Sequence, residues 1–291
     1  MKKFLLSAAG FAARLLPDRL KQAIYKFRPL ARLLRRTLNE AAPEGRGIVK
    51  VAAGGLAGAR LELDLHSEKD YWLGTYEADL QKALKRFVKT GMTAYDIGAN
   101  IGYISLLLAR AVGEKGRVIA VEALPANQER LLRNLALNDQ EGKVQVISAA
   151  LVDKPGMVTF LVHSSTSMGK ALGSAGREEE DYQQRIQVEG VSLDSLVFKR
   201  GLPLPNVVKM DIEGGEALAV RGMTRLLRES PPIFLIEMHG HTAGEVVADT
   251  LRAAGYTFLR MAPGFPVVPI TEELDWKAYL VALPPTSIMK G

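Results

Sequence analysis

The stretch "TAYDIGANIGYISLLLARAVGEKGRVIAVEALPANQERL", from Thr93 to Leu131, decides how the chain is read. A short apolar run reaches Asp96, a turn follows with Gly98 and Gly102, and the next residues show helical periodicity. A second apolar run then ends at Glu122, 20 positions after Gly102. Turn glycines let the backbone approach a ligand, and a helix N-terminus offers unpaired N–H groups. A carboxylate closing the next strand suits a ribose diol. The stretch therefore predicts a nucleoside-like ligand.

Two ligand classes compete for such a turn. A dinucleotide needs G-x-G-x-x-G, because pyrophosphate must rest on bare backbone. Here Asn100 replaces the second glycine and the third is missing. A carboxylate at Asp96 repels a diphosphate but suits the sulfonium and ammonium groups of S-adenosylmethionine. S-adenosylmethionine is thus the expected cofactor, with Asp96, Gly98, Asn100, Gly102 and Glu122 around it. Glu77, Ala123, Ala149 and Asp211 complete the expected cofactor set.

Outward from this stretch, strands and helices alternate. Strands are predicted at 93–97, 117–122, 143–150, 206–211, 232–239, 255–260 and 277–283, and helices at 102–112, 126–138, 214–229 and 243–254. Alternation of this kind predicts a mostly parallel α/β sheet covered on both faces. No helical pattern separates the last two strands, which predicts an antiparallel pair. Residues 156–191 break the rhythm with two extra strands around the polar "SSTSMGKALGSAGREEEDYQQ", a candidate loop over the site.

The expected organisation is a basic amphipathic segment (1–45), a hairpin and helix (46–90), and a cofactor-binding domain (91–291). The chain has no cysteine, which excludes disulfides and thiolate chemistry. Its net charge is +6, and residues 1–40 alone carry ten Lys/Arg against two acids. The rest is close to neutral, so no nucleic-acid partner is expected. Phe4, Ala8, Phe11 and Leu15 share a helical face, continued by Leu20, Ile24 and Phe27 between Pro17 and Pro29. This predicts helices lying on an anionic membrane surface, at the inner face of the cell membrane of a cytoplasmic protein. Packing on the catalytic domain, or on a second copy as a homodimer, is the competing reading.

A second constellation lies in "NVVKMDIEGGE" and "IFLIEMHGH". Period-two alternation puts Lys209 and Asp211 on one face of their strand, and Glu237 and His239 on one face of the next. Ligands of open α/β sheets bind outside these strand ends, so the four are the candidate catalytic residues. Lys209 fits an ion pair with Asp211 or Glu237 equally well. Glu216 reads as a helix-capping acid, and His241 as a solvated loop residue.

Together "YDIGANIGYISLLLA", "VIAVEALPANQERLLRNLALN", "VVKMDIEGGEALAVRG" and "IFLIEMH" resemble the FkbM family of S-adenosylmethionine-dependent methyltransferases, over roughly residues 76–260. The resemblance implies a class I methyltransferase (Rossmann-like) fold of seven strands and O-methylation of a sugar or related hydroxyl compound. It places Asp211 at the aspartate of the family's K-x-D-x-E-G motif. Where the family often has E-P after its second strand, this chain reads Glu122–Ala123–Leu124–Pro125, which shifts the proline.

The acceptor expected from this is a hydroxyl-bearing small molecule, a glycan or a lipid-linked acceptor. A hydroxyl needs a proton acceptor, and an unshifted aspartate, with a pKa of about 3.9, is a weak one. Asp211 and His239 are therefore the candidate bases, His239 the better proton acceptor, with Asp211 orienting it or holding the substrate. No metal is expected, although Asp211, Glu237 and His239 are the ligand types that hold a divalent ion. N-methylation of an amine, or a non-catalytic nucleoside-binding module at a membrane, are the alternatives.

Overall fold

The structure is a computed structural model and describes residues 2–16, 36–38, 40–163, 168–176, 182–269, 272 and 274–285. The expected helical face through Leu20, Ile24 and Phe27 lies outside these residues, as do 164–167 and 177–181 of the polar stretch. The chain divides into two compact units, one of residues 1–78 with 136–139, the other of residues 79–135 with 140–291.

In the first unit, the helix Lys2–Leu15 leaves Phe11 and Leu15 largely exposed, at 64% and 66%. The Arg14 Nε donates to the Ala52 carbonyl at 2.7 Å. Strands β1 (Arg46–Lys50) and β2 (Arg60–Asp64) pair antiparallel as a hairpin. Leu61 and Leu63, two apart, are both buried. Among the described residues no helix is long and apolar enough to cross a membrane.

The second unit is built on a seven-stranded sheet. Its strands are β3 (Thr93–Ile97), β4 (Arg117–Glu122), β5 (Val144–Ser148), β10 (Val207–Met210), β11 (Ile233–His239), β12 (Thr257–Arg260) and β13 (Lys277–Leu283). Their order is β12-β13-β11-β10-β3-β4-β5. β13 runs antiparallel to both neighbours, and the other pairings are parallel. Helices Tyr103–Val112 and Pro125–Ala136 carry the two crossovers from β3 to β5. Strands β10 and β11 are buried at every position, as expected for central strands covered on both faces. Tyr95, Ile97, Val208, Met210, Phe234, Ile236 and Leu251 share one continuous core.

Four strands form a second sheet, in the order β6-β9-β7-β8: β6 (Ala150–Leu151), β7 (Gly156–His163), β8 (Gly169–Ala171) and β9 (Tyr182–Val191). The strand predicted at 143–150 is thus two, because the chain leaves the large sheet after Ser148. The helix predicted at 214–229 is also two, Glu216–Arg221 and Thr224–Glu229. Gly222 separates them where a Cβ would meet the Val152 carbonyl at 2.5 Å. The Asp194 carboxylate then caps the second piece, accepting from the Arg225 and Leu226 N–H groups at 2.9 and 2.8 Å.

Candidate active site

The chain turns back at the C-terminal ends of β3 and β10. From β3 it proceeds to β4 and β5 on one side, and from β10 to β11 on the other. In open α/β sheets this switch point is the ligand crevice. Gly98, Asn100 and Gly102 have φ of 75°, 50° and 88°, a left-handed run that throws the backbone outward before the helix Tyr103–Val112. A Cβ on Gly98 would sit 2.0 Å from the Asp211 carbonyl oxygen, so only glycine permits the turn to pass that close to the end of β10. The Asp211 N–H donates back to the Ile97 carbonyl at 3.2 Å. The predicted cofactor turn and the predicted acceptor residue are thus joined through their backbones.

Glu122 accepts from the Asn100 N–H at 2.8 Å and the Leu124 N–H at 2.9 Å, with the Asn127 amide at 3.4 Å. It therefore binds the turn to the end of β4. Burial raises its pKa, although these hydrogen bonds and Lys209 oppose the shift. The Ala149 N–H donates to the Glu122 carbonyl at 3.1 Å, and Ala123 is buried beside it. Glu77 belongs to the first unit, with φ 48°.

Asp96 sits deeper than its sequence suggests. It is fully buried, its Oδ2 accepting from the Ser105 hydroxyl at 2.6 Å and its Oδ1 lying 3.2 Å from the Lys209 Nζ. Its charge is committed inside the protein, so it supports the turn from below instead of presenting an open carboxylate to a cation. Lys209 also donates to the Gly98 carbonyl at 2.8 Å and the Ile97 carbonyl at 3.3 Å, and stands 4.0 Å from Asp211. Burial works against its charge, but the carboxylates of Asp96 and Asp211 outweigh that and raise its pKa. The ion pair expected with Asp211 or Glu237 is made chiefly with Asp96.

His239 lies among carboxylates. Its Nε2 is 3.0 Å from Glu237 and 4.0 Å from Glu213, and its Nδ1 is 3.3 Å from Glu216 and 3.9 Å from Asp211. Burial opposes its positive charge, yet the hydrogen bonds to Glu216 and Glu237 prevail and push its pKa up to about 10. It is an imidazolium at neutral pH. This corrects the expectation that His239 accepts the proton. Asp211 changes in the other direction: burial, helped by Glu237 and Glu213 and opposed by Lys209 and His239, raises its pKa to about 7. Its side chain keeps 23% of its surface open to solvent.

Three residues of this site carry weak sequence signals. Glu216 is fully buried, and its Oε1 accepts from the Ile212 N–H at 3.1 Å as well as facing His239. It is both the expected capping acid and part of the cluster. Lys277 is ion-paired to Glu237 because β13 sets it opposite His239, a register no local pattern announces. Ser105 is a lone hydroxyl in an apolar helix, and that is its only signal. His241 opens the helix His241–Ala253 and is exposed.

The strand order, the reversed β13 and the glycine turn at the switch point define a class I methyltransferase domain. Residues 96–258 match the methyltransferase FkbM domain, and the chain belongs to that family. It is 26% identical over 163 residues to the hexuronic acid methyltransferase AglP of Haloferax volcanii, covering 56% of this chain and 62% of that protein. It is 25% identical over 185 residues to the methyltransferase sdnD of Sordaria araneosa, covering 55% and 66%. The chain thus spans slightly less than two thirds of these relatives. Among solved structures it is similar to the FkbM methyltransferase of Methylobacillus flagellatus, with 17% identity, a TM-score of 0.42, and coverage of 75% of this chain and 53% of that one.

S-adenosylmethionine is the cofactor of this family, and the site fits it. The turn at Gly98–Gly102 presents backbone where a methionine moiety needs it, and Glu122 closes the neighbouring strand where a ribose diol would meet a carboxylate. The acidic groups past β10 and β11 suit a ligand with a cationic sulfur.

Proposed function

We propose that this protein methylates a hydroxyl group of a sugar, a glycan or a lipid-linked glycan. The observation that carries this reading is the pair of protonation states at the acceptor edge. Asp211, with its pKa near 7, can receive a proton at physiological pH, and His239 beside it holds one fixed. S-adenosylmethionine supplies an activated methyl group on a sulfonium, so the chain's own task is alignment and proton removal. Asp211 accepts the hydroxyl proton, since its N–H is bonded to the Ile97 carbonyl beside the turn and its carboxylate is partly open. Lys209 keeps Asp211 and the Gly98 carbonyl in one place. His239 spreads positive charge between Asp211 and Glu237 and limits where an acceptor can sit.

The acceptor class draws support from AglP, whose name describes action on a hexuronic acid. The test is incubation with labelled S-adenosylmethionine and glycan, lipid and protein fractions, in parallel with Asp211→Asn. That change is nearly isosteric, so cofactor affinity should hold within a few-fold while turnover falls by about a hundredfold or more. Label in protein amines, or turnover that survives Asp211→Asn, would favour N-methylation and remove this reading.

We also propose that residues 1–40 hold the enzyme at the cytoplasmic face of an anionic membrane. Exposed Phe11 and Leu15 on the helix Lys2–Leu15, and the ten basic residues of the segment, support this.

A further inference from the structure

Trp276 is an exposed aromatic group at the acceptor edge. The chain has two tryptophans; Trp72 is buried, while Trp276 keeps 39% of its surface open. A single exposed apolar side chain is ordinary, but this one is tethered beside the site. The Gly240 N–H donates to the Trp276 carbonyl at 2.7 Å, and Trp276 directly precedes β13, whose Lys277 stands opposite His239. Its ring centroid lies 6.1 Å from that of His239, with the ring planes at 82°. His239 Nδ1 in turn lies 3.9 Å from Asp211 Oδ1. One imidazole ring therefore separates the indole from the carboxylate that receives the hydroxyl proton. The charged neighbours of Trp276 are engaged elsewhere: Asp275 faces Arg260 at 3.6 Å, and Lys277 is ion-paired to Glu237. The indole is thus the apolar surface that this segment offers to a ligand.

The same edge is held from the second sheet. After β8 the chain turns through Ala175 and Gly176, and the Ala175 N–H donates to the Gly214 carbonyl at 3.0 Å. A Cβ on Gly214 would lie 2.1 Å from the Ala175 carbonyl oxygen, and one on Gly240 would lie 3.0 Å from the Gly176 nitrogen. Lys170 fastens the turn by donating to the Ala175 carbonyl at 3.2 Å. Gly240 therefore joins the turn after β8 to Trp276, and the indole stands on a rim fixed by close backbone contacts.

We propose that Trp276 is the platform on which the acceptor's sugar ring stacks, and so a specificity-determining residue. A pyranose presents an apolar C–H face and a polar rim of hydroxyls. The acceptor edge offers the matching pair of surfaces, an indole beside a cluster of polar groups. An acyclic alcohol or an aliphatic amine has no flat C–H face to lay on an indole. The platform deepens the reading of this edge as the site of hydroxyl methylation and rests on it.

The probe is a series of methyl hexopyranosides added to the full chain saturated with S-adenosylhomocysteine, read by tryptophan fluorescence and its quenching by acrylamide. The hexosides should change the emission and protect it from acrylamide, and glycerol should do neither. Trp276→Phe should abolish both effects, since the remaining Trp72 is buried. In methyl transfer to the glycan fraction, Trp276→Ala should raise the acceptor KM by about tenfold or more. Trp276→Phe, which keeps an aromatic face, should raise it only a few-fold, with kcat within a few-fold in both variants. Unchanged S-adenosylhomocysteine affinity verifies that each variant is folded. No response to any hexoside, an equal response to glycerol, or the same response in Trp276→Phe would overturn the proposal. So would a wild-type acceptor KM in Trp276→Ala, which leaves the hydroxyl-methylation reading intact. Hexoside protection as described, with label transferred only to amines, would uphold the platform and remove that reading.

Discussion

Replacing Lys209 by methionine tests the internal wiring of the site. The side chains are similar in length, so the change removes a charge and three donor contacts with little change of volume. What remains is Asp96, fully buried, with the Ser105 hydroxyl as its one partner among the described residues, and the Ile97 and Gly98 carbonyls without the Lys209 ammonium. Breaking one side of a buried ion pair costs about 3–5 kcal/mol, because the other charge is stranded. In a domain of this size each kcal/mol shifts the melting temperature by about 2–4 °C, so a fall of about 6–20 °C is expected by scanning calorimetry. Adding Asp96→Asn removes the stranded charge. The double variant should recover more than half of the loss, as contacting residues show strong coupling. S-adenosylmethionine affinity should fall in the single variant too, since the Gly98 carbonyl loses its anchor. A melting temperature unchanged by Lys209→Met, or a double variant less stable than the single one, would refute the claim that Lys209 exists to hold Asp96 and the turn.

Glu122→Ala should weaken S-adenosylmethionine by about 1.5–3 kcal/mol in calorimetric titration, the usual worth of hydrogen bonds to a charged group. Unchanged affinity would remove Glu122 as the ribose ligand. NMR of the His239 ring should show an imidazolium throughout pH 6–8 and loss of its proton only near pH 10. Because its folded pKa is raised above 6.5, its stabilising contribution is full below that value and declines as pH rises toward 10, so the melting temperature of the wild type should fall over that window more steeply than that of His239→Asn. The full chain should float with phosphatidylglycerol liposomes in a salt-sensitive way, and a truncated chain beginning at Gly45 should not. Equal flotation of the two would remove the membrane reading.

The legible part of this molecule is the part set by local chemistry. The glycine turn is visible at Gly98 and Gly102 because left-handed backbone selects glycine, and the strand boundaries follow from apolar runs closed by Asp96, Glu122 and His239. Within the site, residue types were readable but partners were not. Lys209 stands two residues from Asp211 in sequence, yet its register opposite Asp96 across the β10–β3 pair gives it a nearer carboxylate. His239 looked like a base because an isolated imidazole is neutral at pH 7. Only the meeting of four carboxylates from two separate stretches, 211–216 and Glu237 on β11, changes that. Lys277 reaches Glu237 through an antiparallel register 38 residues downstream of His239, beyond the reach of any periodicity.

β13 fills the gap between β11 and β12, although both precede it in the chain. β12 and β13 are consecutive and antiparallel, so they can pair with each other first and join the sheet when β13 docks against β11. Until they do, β11 has a bare apolar edge and Glu237 lacks its Lys277 partner, so an intermediate stalled at this stage is prone to pair with another copy of itself. The Lys277–Glu237 pair at the acceptor edge therefore depends on β13 docking. Hydrogen exchange should show β13 amides gaining protection after those of β3, β4 and β10, with methylation capacity appearing in step with β13.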